Sequence, residues 1–149
     1  MGTEDFRFAV QLANTMGWNM AVEDFEFAVK LEPEGCFVVF SGSERVGIAT
    51  CVSFGRVGWL GNLVVKEICR RRGAGALLAQ SAIKYLKSTG AETIGLYAYP
   101  HLIEFYEQFG FKADVDYSVL QGKVASSLTG ENVQLQKAKK QDIPAIIDF

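Results

Sequence analysis

A chain of 149 residues suits one domain of ordinary size, and its 49% apolar content with 11 Phe can fill a core, which excludes a disordered chain. Lys and Arg number 15 against 17 acids, a formal net charge of −2, whereas a protein that clamps nucleic acid is usually more basic. Cys36, Cys51 and Cys69 are odd in number and lack C-x-x-C spacing, so neither a disulfide framework nor a metal site is expected.

In chain order, "TEDFRFAVQLANTMGW" (3–18) has Phe6, Ala9, Val10 and Ala13 at helical spacing, with Thr3 as N-cap. Asn19 is expected to cap a second helix, 21–33, which Pro33 and Gly35 stop. The period then changes. "CFVVFSG" (36–42), "RVGIATCVSFG" (45–55) and "VGWLGNLVVKE" (57–67) are β-branched and aromatic runs separated by tight-turn residues, an antiparallel meander. Beyond "CRRR", Ala74, Leu77, Leu78, Ala82, Tyr85 and Leu86 line one face of a helix that Gly90 ends. A strand (92–99), a short helix (100–110) opened by Pro and closed by Gly110, and a last strand (111–120) follow. A strand–helix–strand crossover after a meander predicts a mixed sheet. Residues 121–132 read as a polar linker. No apolar run reaches membrane-spanning length and no signal peptide precedes the first charges. A soluble cytoplasmic protein with no nucleic-acid or membrane partner is therefore expected.

The junction "CRRRGAGALLAQ" (69–80) places three like charges and two glycines where a strand gives way to a helix. The first helical N–H groups have no intrahelical partners there, glycine lets a ligand come close, and arginines add charge-assisted bonds of about 1.5–3 kcal/mol each. These are the parts of a phosphate site. A P-loop is excluded, since no Lys-Ser/Thr follows Gly75, and a dinucleotide fingerprint lacks its third glycine, Leu78 standing there. A solvated basic turn is the alternative that the motif by itself leaves open.

Read with its surroundings, the junction resembles the Q/R-x-x-G-x-G/A signature of the GNAT superfamily of N-acyltransferases, matched by Arg70, Gly73 and Gly75. "LVV" (63–65) sits where that family's fourth strand lies, and "FYEQFGF" (105–111) is similar to its "fYeklGF" signature. The resemblance covers residues 3–120. It implies an α/β (α+β) fold: a mixed, mostly antiparallel twisted sheet flanked by helices and splayed between the family's fourth and fifth strands. It implies acetyl-CoA as acyl donor, no metal, and direct transfer to an amine in a ternary complex. By the same resemblance, amides of Arg71, Arg72, Gly73, Ala74, Gly75 and Ala76 cradle the pyrophosphate. Arg70, Arg71 and Arg72 are candidates for the phosphate charge. Leu63, Val64 and Val65 present backbone to the pantetheine arm, a bulge is expected at Gly61, and Tyr106 protonates the departing thiolate.

Some family members use a glutamate on the fourth strand as base; "GWLGN" offers none, which leaves a water chain or His101. Tyr99 and Leu102 stand where the family often has Asn and Ala, a departure that bears on the pantetheine contact. Trp18, Asn19 and Asn62 are the acceptor-side candidates, while Glu23, Asp24 and Glu26 read as a solvated helix face. The acceptor amine, a small molecule or a protein, is left open, as is a homodimer. A catalytically silent acyl-CoA-binding module is the rival reading. Finally, 133–149 reads as a strand and a helix start. "KQDIPAIIDF" echoes "TEDFRFAVQL", so a second GNAT-like domain beginning there, truncated in this chain, is expected.

Overall fold

A computed structural model of the chain describes residues 1–114 and 137–147, in two compact units, Met1–Ala113 and Asp114–Phe149. In the first unit, a 3-10 turn (Thr3–Asp5) leads into α1 (Phe6–Asn14), and α2 (Val22–Leu31) follows. Thr3 is not the cap. The Asp5 carboxylate accepts the Gly2 N–H at 2.8 Å and pairs with Arg45 Nε at 2.6 Å. Nor does Asn19 cap α2. It adopts a left-handed φ of +51°, which its short polar side chain tolerates, and the Asp24 carboxylate instead accepts the Ala21 N–H at 2.8 Å.

The meander forms as expected: β1 (Cys36–Ser41), β2 (Glu44–Phe54) and β3 (Val57–Val65) are antiparallel neighbours. After α3 (Ala74–Ser88), β4 (Thr93–Gly95) adds to β3 in parallel, giving the order β1-β2-β3-β4. The strand expected over 92–99 is therefore much shorter. Its pairing stops at Trp59↔Gly95, and β3 continues to Val65 beside β2 but without β4, the splay implied by the resemblance. The bulge lies one step beyond Gly61. Gly61 pairs with Thr50 and Val64 with Ile48, so Asn62 and Leu63 together face Ala49. Asn62 takes φ +49°, and its Nδ2 donates to Thr50 Oγ1 at 3.1 Å.

Each face of the sheet carries its own core. One joins Leu60 and Val65 to Leu78, Ala82 and Leu86 of α3 and to Tyr106. The other joins Ile48 and Val64 to Phe6, Ala9, Leu12, Ala13 and Phe25 from α1 and α2. At the far end of the sheet, Glu32 accepts the Ser53 N–H at 2.8 Å and the Tyr85 hydroxyl, tying the end of α2 to β2 and α3. The short helix α4 (Ile103–Glu107) follows a 3-10 turn, Pro100–Leu102. Phe111–Asp114 form no strand, and the rest of the strand expected over 111–120 lies outside the described residues, as does the linker.

The second unit, described from residue 137, has a 3-10 turn (Lys140–Asp142) and α5 (Ile143–Ile147). Asp142 accepts the Lys139 N–H at 2.7 Å, the cap device seen at Asp5. The strand expected from 133 lies outside the described residues up to 136, and residues 137–139 are not strand. Among the described residues, no helix is long and apolar enough to cross a membrane.

Candidate active site

β3 closes where the Lys66 N–H reaches the Val46 carbonyl at 2.8 Å. A 3-10 turn (Glu67–Cys69) then leads into the arginines. Arg71 and Gly73 are both left-handed, with φ of +58° and +86°, and left-handed residues in such turns gather neighbouring N–H groups into an anion-binding concavity. Arg71 carries a side chain at a φ where few non-glycine residues sit, so this turn stores backbone strain of the kind found at functional sites. The first bond closing α3 runs from the Leu77 N–H to the Gly73 carbonyl at 2.9 Å. The N–H groups of Ala74, Gly75 and Ala76 precede it and project from the positive end of the helix dipole.

The three arginines divide their work. Arg70 donates its Nε to the Val65 carbonyl at 3.0 Å, and its Nη2 lies 3.8 Å from Met16 Sδ. It thereby braces the turn against the strand and the α1–α2 loop. Arg71 and Arg72 are exposed and enter no ion pair among the described residues, so both are open to an anion. A Cβ at Gly75 would stand in ordinary contact with Phe105, 3.5 Å from its Cζ, and with Val65, 3.9 Å from its Cγ2.

Beyond Trp59 the β4-facing edge of β3 has no strand partner. The Lys66 N–H points to β2, and alternation turns Val65 and Leu63 the opposite way, toward the open edge. The same alternation turns Val64 toward its partner Ile48, so its backbone serves the sheet and not a ligand. With the Val65 carbonyl engaged by Arg70, the Val65 N–H and the Leu63 backbone are the groups left to the splay.

α4 joins the α3-side core through Tyr106 and Phe105. Tyr106 is buried in the core that holds Val65 and Leu78, and its ring meets Phe105 and Phe111 edge-on at centroid distances of 5.0 and 5.9 Å. Burial raises its phenol pKa, so the hydroxyl keeps its proton at neutral pH. It makes no hydrogen bond among the described residues. Since no fully buried side-chain oxygen there lacks a partner, the hydroxyl oxygen reaches accessible surface. A protonated, unengaged phenol thus stands on a buried ring beside the splay.

On the other face, the loop from Thr15 to Met20 is held by Asn14. Its Nδ2 donates to the Met20 carbonyl at 2.9 Å and its Oδ1 accepts the Met20 N–H at 2.7 Å. Trp18 Nε1 donates to the Tyr99 hydroxyl at 2.9 Å, and Tyr99 stacks on His101 with 5.7 Å between centroids. Asn19 is exposed and enters none of these contacts, whereas Asn62 serves the bulge. Sequence reasoning named Trp18 but missed its partner Tyr99; the signal was the aromatic "YAYPH" directly after a strand. Cys36 and Cys51 are buried, and burial pushes their thiols up to about 11 and about 12, so both are packing residues. Among the described residues no group of three or more His, Cys, Asp or Glu could hold a metal ion.

Residues 7–111 match the model of the Acetyltransferase (GNAT) family, and the chain belongs to that family. Its fold is shared with solved structures at low identity. A Pyrococcus horikoshii protein superposes with a TM-score of 0.68 at 23% identity over 76% of this chain, which spans 42% of that protein's length. An acetyltransferase of Trypanosoma brucei gives 0.66 at 20% identity, covering 81% of this chain and 95% of the other. Rv2747 of Mycobacterium tuberculosis, solved in complex with CoA and NLQ, gives 0.69 at 16% identity, covering 80% and 73%. Acyl transfer is the family's chemistry.

Proposed function

We propose that this protein transfers an acetyl group from acetyl-CoA to a primary amine by direct attack in a ternary complex. One observation carries the reading: the start of α3, the unpaired edge of β3 and Tyr106 converge in a single core, with Ala74 and Phe105 packed on the cluster that holds Val65 and Tyr106. The helix start, Arg71 and Arg72 suit the donor's phosphates. Leu63 and Val65 suit the amides of its arm, pairing with it as a strand would. The CoA in the Rv2747 structure supports the same donor class.

The chemistry follows from these positions. The neutral amine nitrogen attacks the thioester carbonyl carbon, whose oxygen gathers charge within reach of a β3 N–H such as that of Val65. As the tetrahedral centre collapses, the C–S bond breaks and the sulfur takes the Tyr106 proton. The nitrogen gives up its own proton to water, and water returns one to the Tyr106 phenolate, leaving an amide and free CoA thiol. Tyr106 supplies general-acid help worth about 10²–10⁴ in rate. Action in the cytoplasm accords with this donor.

Thiol release from acetyl-CoA across a broad amine panel, with calorimetric titration of acetyl-CoA, tests the reading. Amine-dependent release is expected. Tight acetyl-CoA binding with no release for any amine would instead establish a silent acyl-CoA-binding module.

A further inference from the structure

The two faces of the sheet divide the labour of the site. The donor groups, the α3 start and Tyr106, belong to the α3 face. Met16, Trp18 and Met20 pack on the opposite core, which contains Val64. The splay opens between those faces once pairing stops at Trp59↔Gly95. The chain leaving β4 carries Tyr99 back to Trp18, so the Nε1–H to hydroxyl bond joins the α1–α2 loop to the segment that leads into α4. Two aromatic rings from positions 81 residues apart are thereby fixed on the acceptor side, with the His101 ring stacked behind Tyr99.

Among the described residues, β3 (57–65), the loop 15–20 and the segment 96–103 contain no carboxylate; beside them, Asp24 is engaged by the Ala21 N–H and Glu23 and Glu26 are exposed on α2. A site that acetylates a lysine-type amine must remove a proton from a strong base before attack. At pH 7.5 roughly one such amine in 800 is neutral, against roughly a third of α-amines. An amine of low basicity arrives ready to react and needs no carboxylate to strip it. Flat neutral ring faces, in turn, favour a flat apolar group by offset or edge contact.

We infer that the acceptor, on the acyl-transfer reading above, is a primary amine of low basicity carried on a flat apolar group, seated against Trp18 and Tyr99. An arylamine and the α-amine of an aromatic residue share this chemistry. Trp18 and Tyr99 set specificity, and water takes the proton.

The experiment compares three amines at pH 7.5 by thiol release: an aniline, phenylalanine amide and phenethylamine, the last a strongly basic amine on the same ring. Either of the first two is expected to exceed phenethylamine in kcat/KM by about tenfold or more, given the difference in neutral fraction. The leading one identifies the source. Trp18→Ala should raise KM for all three ring amines while their order, set by basicity, and the Kd for acetyl-CoA stay unchanged. Preference for phenethylamine, or KM values that Trp18→Ala leaves unchanged, overturns the inference and leaves acyl transfer standing. If no amine is turned over, tryptophan fluorescence of the CoA-loaded protein decides. Saturable quenching by the aniline, absent in Trp18→Ala, upholds the aromatic seat while the transfer reading falls; no quenching overturns the seat.

Discussion

The groups proposed to face the donor nearly all lie between Leu63 and Ala76, whereas the proposed acceptor wall joins Trp18 to Tyr99. The first set is held by local geometry: a strand end, a 3-10 turn, two left-handed residues and a helix start. The second exists only once the sheet has formed and splayed. A local device tolerates the loss of one side chain, because backbone carries most of it. An assembled one depends on particular side chains meeting. Where this contrast holds, backbone substitutions damage the donor end and side-chain truncations damage the acceptor end.

The largest effect is expected where the two ends meet. Tyr106→Phe should lower kcat by about 100-fold with unchanged affinity for acetyl-CoA, as removal of a general acid does. Single-turnover kinetics with calorimetry check this, and full turnover in the variant would remove Tyr106 from the chemistry. Next comes the backbone test. Gly73→Val forces a branched residue to φ +86°, a strain of about 1–2 kcal/mol, and should weaken acetyl-CoA binding about tenfold. Arg71→Ala and Arg72→Ala should each weaken it only about threefold, and less at high salt, because exposed charges are screened. A ranking in which either arginine outweighs Gly73 would break the contrast.

The acceptor end is sharpened by a double-mutant cycle of Trp18→Phe and Tyr99→Phe, read in the KM for amine. A coupling of about 0.5–1 kcal/mol is expected for one exposed hydrogen bond, and additivity would show that the tie does not shape the site. The smallest effect lies away from both ends. The hydrogen bond to Glu32, helped by burial, pushes the Tyr85 phenol up to about 12 from its usual 10.0. A raised folded pKa contributes stability that is whole below about pH 10 and lost as pH rises through about 12. Melting curves from pH 8 upward should show a steeper alkaline loss in the parent than in Tyr85→Phe, while acetyl-CoA affinity at pH 7.5 stays the same in both.

The same contrast explains what could be read from the amino acids alone. The meander, the α3 helix and the arginine–glycine turn depend on neighbours in sequence, and all three were legible. Errors arose where a distant element decided the outcome. β4 ends at Gly95, although β-branched and aromatic residues run on to Tyr99, because Tyr97 turns to meet Trp59 at 4.8 Å and Tyr99 turns to Trp18. The bulge fell on Asn62 rather than Gly61 because Thr50, on the neighbouring strand, holds its amide. Arg70, in a run of three identical residues, was set apart only by the Val65 carbonyl within its reach.

The kink at Asn62 and Leu63 has one more effect, which concerns parity. An uninterrupted strand sends even and odd positions to opposite sides along its whole length. Here Leu60, an even position, and Val65, an odd one, both enter the α3 core, while Val64 enters the other. The extra residue acts as a frameshift: side chains before it are read in one phase and those after it in the other. Deleting Asn62 would remove the shift and its kink, and Leu63, Val64 and Val65 would keep their present sides in an unbroken alternation with Leu60. Straightening β3 with Asn62 kept in the ladder would instead exchange the occupants of the two greasy layers, and the backbone edge offered to the donor would become the edge that pairs with β2.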